Sequence, residues 1–210
     1  MVTRLLLTRH GETVANAARQ FSGRSDVALT PLGRRQARAL GRRLRSVAID
    51  AAYASPLIRA RETAEIALNG RTIAVVTESG LCEISFGEWE GRTFAEIRER
   101  WPAEWAKLRS VDEEFCAPGG EPLIDAQQRA VAAVIAIVAR HPDQTILLTA
   151  HGGTLQLLLA HVLGTPALSI RRIATGNCGL SIVEFHGEQP IVTLMNDCAH
   201  TAPRVRKAAP

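Results

Sequence analysis

Short apolar runs punctuate this chain, and between them apolar residues return every three or four positions. The runs at 5–8, 51–54, 73–76, 145–149, 180–185 and 191–195 are brief, rich in aliphatic residues and bounded by polar ones, which reads as strands. The last two flank His186-Gly187-Glu188-Gln189, a hairpin connection. The intervening pattern predicts helices. Thr30-Pro31 is an N-cap followed by proline in the first turn, and Leu32, Ala39, Leu40 and Leu44 then share one side. Ser55-Pro56 repeats that device before LIRARETAEIAL. Glu121-Pro122 precedes a long helix around QQRAVAAVIAIVA, and Gly152-Gly153 opens TLQLLLAHVL. Strand-like and helix-like stretches alternate, so the expected class is α/β, with an antiparallel final pair making the sheet mixed. One domain is expected over 1–201. A helical excursion is expected over 91–120, where Trp101 and Trp105, four apart, would share a helix face. The Pro-, Ala- and Arg-rich stretch 202–210 reads as a mobile tail.

At 210 residues the chain is long enough to bury a core without staples. Four cysteines, with no CxxC pair, read as free thiols rather than a disulfide or metal set. The longest apolar run, Ala130 to Ala139, lies between arginines and is too short to span a bilayer. Three leucines near the start are too few for a signal-peptide core. A cytoplasmic protein with no membrane association is therefore expected. The net charge of +4 comes from arginines scattered on helices, and only 4% of residues are aromatic, so no nucleic-acid partner is expected. The same excess of arginine suits a small anionic substrate.

The chemistry gathers at strand ends. LLLTRHGE and ILLTAHGG each place a histidine, then a glycine, just past an apolar run. Either histidine alone could be a hydrogen-bonded core residue. A matched pair points to the edge of an α/β sheet where ligands bind. In YASPLIRARETA, Arg59 falls in the first turn of a helix, where backbone N–H groups already favour an anion. Arg9 adds a second guanidinium fork. Two arginines and two histidines at one edge suit a phosphoryl dianion. A histidine ring nitrogen can attack phosphorus. Glu83, flanked by Leu81, Ile84, Phe86 and Trp89, is the candidate proton donor, because apolar burial would raise its pKa.

These residues resemble the signatures of the histidine phosphatase superfamily, also called phosphoglycerate mutase-like. Arg9-His10-Gly11-Glu12-Thr13 with Asn16, the stretch Ala28 to Gly33, SPLIRARETA from Ser55 to Ala64, FGEWEG from Phe86 to Gly91 and AHGG from Ala150 to Gly153 occur in the family's order. The resemblance implies a three-layer α/β/α sandwich on a mostly parallel mixed sheet. It implies His10 as the phosphorylated nucleophile and Glu83 as general acid, then base. Arg9, Arg59 and His151 would clamp the phosphoryl oxygens, with Asn16, Ser22, Gly23 and Gly152 as further substrate-binding positions. Many relatives have Gln-Gly where this chain has Phe21-Ser22-Gly23. No cofactor and no metal are implied, and the partner is a small phosphorylated metabolite.

The family holds both phosphatases and mutases. The shorter chain, FGEWEG and the stretch PGGEPLIDAQQR (118–129) resemble broad-specificity and α-ribazole phosphatases. A mutase and a catalytically inert phospho-ligand binder are the alternatives. Substrate identity, a monomeric or homodimeric state, and the roles of Arg24, Trp101, Trp105 and His200 stay open.

Overall fold

The computed structural model describes residues 2–109 and 115–202. Among these residues six strands form one sheet in the order β3-β2-β4-β1-β5-β6. They are β1 (Thr3–Arg9), β2 (Ala51–Ala54), β3 (Val75–Thr77), β4 (Thr145–Ala150), β5 (Leu180–His186) and β6 (Gln189–Asp197). The pairings β1–β4, β2–β4 and β2–β3 are parallel, while β1–β5 and β5–β6 are antiparallel. The sheet is thus mostly parallel and mixed, as expected. The register His186↔Gln189 confirms the hairpin, with Gly187 at φ +65° in its turn.

Among the described residues seven α-helices accompany the strands: α1 (Val14–Ala17), α2 (Pro31–Arg43), α3 (Ile58–Ala67), α4 (Phe94–Arg100), α5 (Pro102–Arg109), α6 (Leu123–Arg140) and α7 (Gly152–Val162). The period-two alternation of the strands sorts the helices into two layers. Leu5, Leu7, Ile146, Leu148 and Ala150 face Val134 and Ile137 of α6 and Leu155, Leu158 and Leu159 of α7. Leu6 and Leu147 point the other way, onto Ala37 and Leu40 of α2 and Ala67 of α3. Each fully buried leucine contributes about 1.5–3 kcal/mol, so neighbours in β1 stabilise opposite layers. The result is the three-layer α/β/α sandwich.

Three local expectations are corrected. Thr30 caps α2 as read, its Oγ1 accepting from the Gly33 N–H at 3.0 Å, but Ser55-Pro56 does not repeat the device. Helix α3 begins at Ile58, whose N–H donates to Oδ1 of Asp26 at 2.7 Å. The Ser55 hydroxyl accepts from the Leu57 N–H at 3.3 Å and lies 2.7 Å from His151 Nε2. Strand β3 spans 75–77 rather than 73–76, because only Val75 to Thr77 meet β2. Trp101 lies between α4 and α5, so it does not share a helix face with Trp105. Both tryptophans pack in a satellite core with Trp89, Ile97, Phe115 and Leu157, and neither reaches the site described below.

The four cysteines are free thiols, and no helix among the described residues is long and apolar enough to cross a membrane. Beyond Ala202, the expected tail lies outside the described residues.

Candidate active site

Parallel pairing builds the site. Arg9 pairs with Ala150, and Ala54 with Thr149, so the carboxyl ends of β1, β4 and β2 lie side by side. The residues that follow are His10, His151 and Ser55. The two imidazole centroids are 5.2 Å apart, and His151 Nε2 lies 2.7 Å from Ser55 Oγ. A cavity of about 650 Å³ opens over this edge. Arg9, His10, Asn16, Ser22, Gly23, Arg59, Glu83 and Gly152, all expected from sequence, line it. His151 does not. It is fully buried behind His10.

His10 is almost completely buried, and its Nδ1 lies 2.7 Å from the carbonyl oxygen of Gly11. A carbonyl only accepts, so Nδ1 carries the hydrogen and Nε2 keeps its lone pair. Burial, then the guanidinium groups of Arg9 and Arg59, hold His10 well below the usual histidine range. His151 is held low by burial, followed by Arg59, His10, Arg9 and Arg129. Both rings are therefore neutral near pH 7.

The guanidinium groups are fixed by backbone. Arg9 Nη1 donates to Thr175 O at 2.8 Å. Arg59, almost wholly buried in the first turn of α3, donates from Nη1 to Ser25 O and from Nη2 to Gly23 O, at 2.8 and 2.7 Å. Burial lowers both arginine pKa values, opposed first by the charge of Glu83. The loop that holds Arg59 is held in turn by Glu90. Its Oε1 accepts from the N–H groups of Arg24 and Phe86, and its Oε2 from the N–H and hydroxyl of Ser25. Gly23 sits at φ +48° against that carboxylate, where a Cβ would collide.

Glu83 does not occupy the apolar setting expected of it. Its carboxylate faces the amino end of α7. Oε1 accepts from Ile84 N and Thr154 N at 3.0 and 2.9 Å, with Thr154 Oγ1 3.1 Å away, and Oε2 accepts from Gly153 N at 3.1 Å. Close approach of α7 demands glycine at 153, where a Cβ would stand 2.8 Å from Glu83 Oε1.

Three buried polar atoms in this region lack any partner: Arg9 Nε, Arg59 Nε and His151 Nδ1. Buried polar atoms without partners are rare and costly. Two of the three are guanidinium N–H groups of residues that line the cavity, donors of the kind an anion satisfies.

The remaining open positions are resolved. Arg24 pairs with Glu121 at 3.1 Å and does not line the cavity. His200 Nε2 lies 2.9 Å from Cys178 O, fastening the end of the described chain to the start of β5. Asn177 was not foreseen. Its Nδ2 donates to the His10 carbonyl at 3.0 Å and to Asn16 Oδ1 at 3.2 Å. Asn16 Oδ1 also accepts from Thr13 N, so any ligand contact from Asn16 falls to Nδ2. Glu90 stands in the FGEWEG element, but nothing local says that it holds the 23–25 loop, and Asn177 carries no local signal. Only the folded loops bring them to the site.

The chain belongs to the histidine phosphatase superfamily: the family's branch 1 model matches residues 5–198. A probable phosphoglycerate mutase GpmB of Erwinia tasmaniensis is 35% identical over 201 residues, 92% of this chain and 93% of that protein. A bifunctional protein, Rv2228c, of Mycobacterium tuberculosis is 36% identical over 89% of this chain, which spans 51% of its length. Among solved structures, Bacillus stearothermophilus YhfR superposes with a TM-score of 0.91 at 38% identity, covering 95% of this chain and all of that one. A putative α-ribazole-5′-P phosphatase from Escherichia coli superposes at 0.85 with 28% identity, covering 93% and 97%.

Proposed function

We propose that this protein hydrolyses phosphomonoesters of small metabolites through a covalent phosphohistidine on His10. One observation carries the reading: the buried Nε–H donors of Arg9 and Arg59 lack partners beside an imidazole whose Nδ1 is already committed to Gly11. That arrangement suits a phosphoryl dianion in front of the Nε2 lone pair.

In the first step Nε2 of His10 attacks phosphorus and the P–O bond to the leaving group breaks. Glu83 delivers a proton to the departing oxygen. Its Oε1 already receives two N–H hydrogen bonds and Oε2 only one, so Oε2 is the oxygen with room for that proton. In the second step water attacks phosphorus, the P–N bond breaks, and the carboxylate of Glu83 takes the proton of the water. Fixed guanidinium groups balance charge on the equatorial oxygens throughout.

The outer cavity supports an apolar leaving group. Phe21, Phe86, Phe94, Leu108, Leu123 and Ile170 line it. Phe21 packs edge-on against Phe86 and Phe94, with centroids 4.8 and 4.9 Å apart. Phe94 is half exposed at the cavity wall, a position that ligand burial would favour.

Similarity to GpmB keeps phosphoryl transfer to a second substrate position as the second reading. The deciding experiment is alkaline quench during turnover, followed by peptide mapping. Acid-labile phosphate on His10 with label released to water is the expected result. No trapped adduct would overturn the covalent route, and label passed to a second hydroxyl of a glycerate would favour the mutase.

A further inference from the structure

Arg129, in the second turn of α6, has all five of its N–H groups engaged. Nη1 donates to the carbonyl oxygens of Gly80 and Cys82, both at 2.8 Å. Nη2 donates to the carbonyl oxygen of Glu83 at 3.4 Å and to Oε1 of Glu121 at 2.6 Å, and Nε reaches Oε2 of Glu121 at 3.4 Å. Glu121 in turn accepts from the Ser85 N–H at 2.9 Å. One fork and one carboxylate thus grip the segment 80–85 at four backbone positions. Thr154 holds the same segment from α7, its hydroxyl donating to Cys82 O at 2.8 Å. The segment has little regular structure of its own: a single 3-10 turn ends at Leu81, and Glu83 follows in irregular chain.

We propose that Arg129, seated by Glu121, is a positioning residue for Glu83: it fixes the backbone from which the proton donor reaches the leaving oxygen. The inference rests on Glu83 as that donor. Arg129 and Glu121 do not line the cavity, so they act through the loop rather than on the substrate. A lysine offers three donors from a single point and cannot serve two sides of a fork. Displacement of the donor by about 1 Å is enough to cost on the order of a hundredfold in rate.

The test compares alkyl phosphate with nitrophenyl phosphate, whose leaving group needs little protonation. Arg129→Lys and the milder Glu121→Gln should lower kcat on the alkyl ester at least about tenfold more than on the nitrophenyl ester. Inhibition by vanadate should stay within about threefold of the parent, because the arginine cradle is untouched. In a Glu83→Gln background, Arg129→Lys should add less than about a twofold further loss. An equal loss on both esters, or a full further loss in that background, would assign Arg129 to general stability and overturn the proposal. If Glu83→Gln alone is selective for the alkyl ester while the Arg129 and Glu121 variants are not, this inference alone fails. If Glu83→Gln slows both esters equally, the proton-donor reading fails and the inference with it.

Discussion

Nδ1 of His10 donates to the carbonyl oxygen of its own neighbour, Gly11, across 2.7 Å. That bond chooses the tautomer before substrate arrives, and burial beside two guanidinium groups keeps the ring uncharged. His151 is held low in the same way. In the unfolded chain both rings would titrate near pH 6.5.

The sign of the resulting pH dependence follows. With folded pKa values below the unfolded ones, the unfolded chain takes up protons first as pH falls. Stability is full above about pH 6.5 and lost below it, by up to about 1.4 kcal/mol per pH unit for each ring. Urea titrations at pH 7.5, 6.5 and 5.5 should show this loss, and His10→Asn should remove about half of the contribution from the two rings. An identical acid slope in parent and variant would refute the assignment.

Ser55 Oγ is the one hydrogen-bond partner of the His151 ring among the described residues. Ser55→Ala leaves Nε2 unpartnered in a dry site. Urea unfolding should report a loss of about 1–3 kcal/mol. Turnover of nitrophenyl phosphate should fall about tenfold as the ring loses its orientation. An unchanged midpoint would mean that water replaces the hydroxyl.

Gly153→Ala places a methyl group 2.8 Å from Glu83 Oε1 and 2.5 Å from Ile84 Cδ1. The carboxylate must move. Alkyl phosphate turnover should fall more than about tenfold while vanadate inhibition persists. Parallel loss of both would place the damage in the anion site instead.

Positive charge lining this cavity comes from Arg9, Arg19 and Arg59, of which Arg9 and Arg59 are the buried pair. Turnover should therefore persist in EDTA, and vanadate, a mimic of the trigonal transition state, should inhibit. Arg59→Ala should weaken that inhibition at least about a hundredfold. A strict requirement for added divalent metal would contradict the proposed electrostatics.

Phe94→Ala removes an aromatic face from the outer cavity. KM for naphthyl phosphate should rise about fivefold with little change for a small alkyl phosphate, since only apolar contact is lost. Equal effects on both esters would remove the apolar wall from the specificity argument.

Local pattern alone determined the strand and helix order, the mixed sheet, the cap at Thr30 and the two His-Gly junctions. These depend on residues close in sequence: alternating aliphatics, a capping hydroxyl, a glycine after a histidine. The motifs also named Arg9, His10, Arg59, Glu83 and His151. Tertiary structure decided what each of those side chains meets. Pairing of β4 with both β1 and β2 placed His151 behind His10 and gave Ser55 to it, so the helix start moved to Ile58 under Asp26. Packing of α7 against the 80–85 segment surrounded Glu83 with N–H donors, although its sequence neighbours are apolar. Glu90, Glu121 and Arg129 lay within quoted motifs, but their roles, and that of Asn177, came only through contacts between distant segments. Hydrogen-bond partners far apart in sequence leave no periodic trace in it, because their spacing is set by packing rather than by the repeat of a helix or strand.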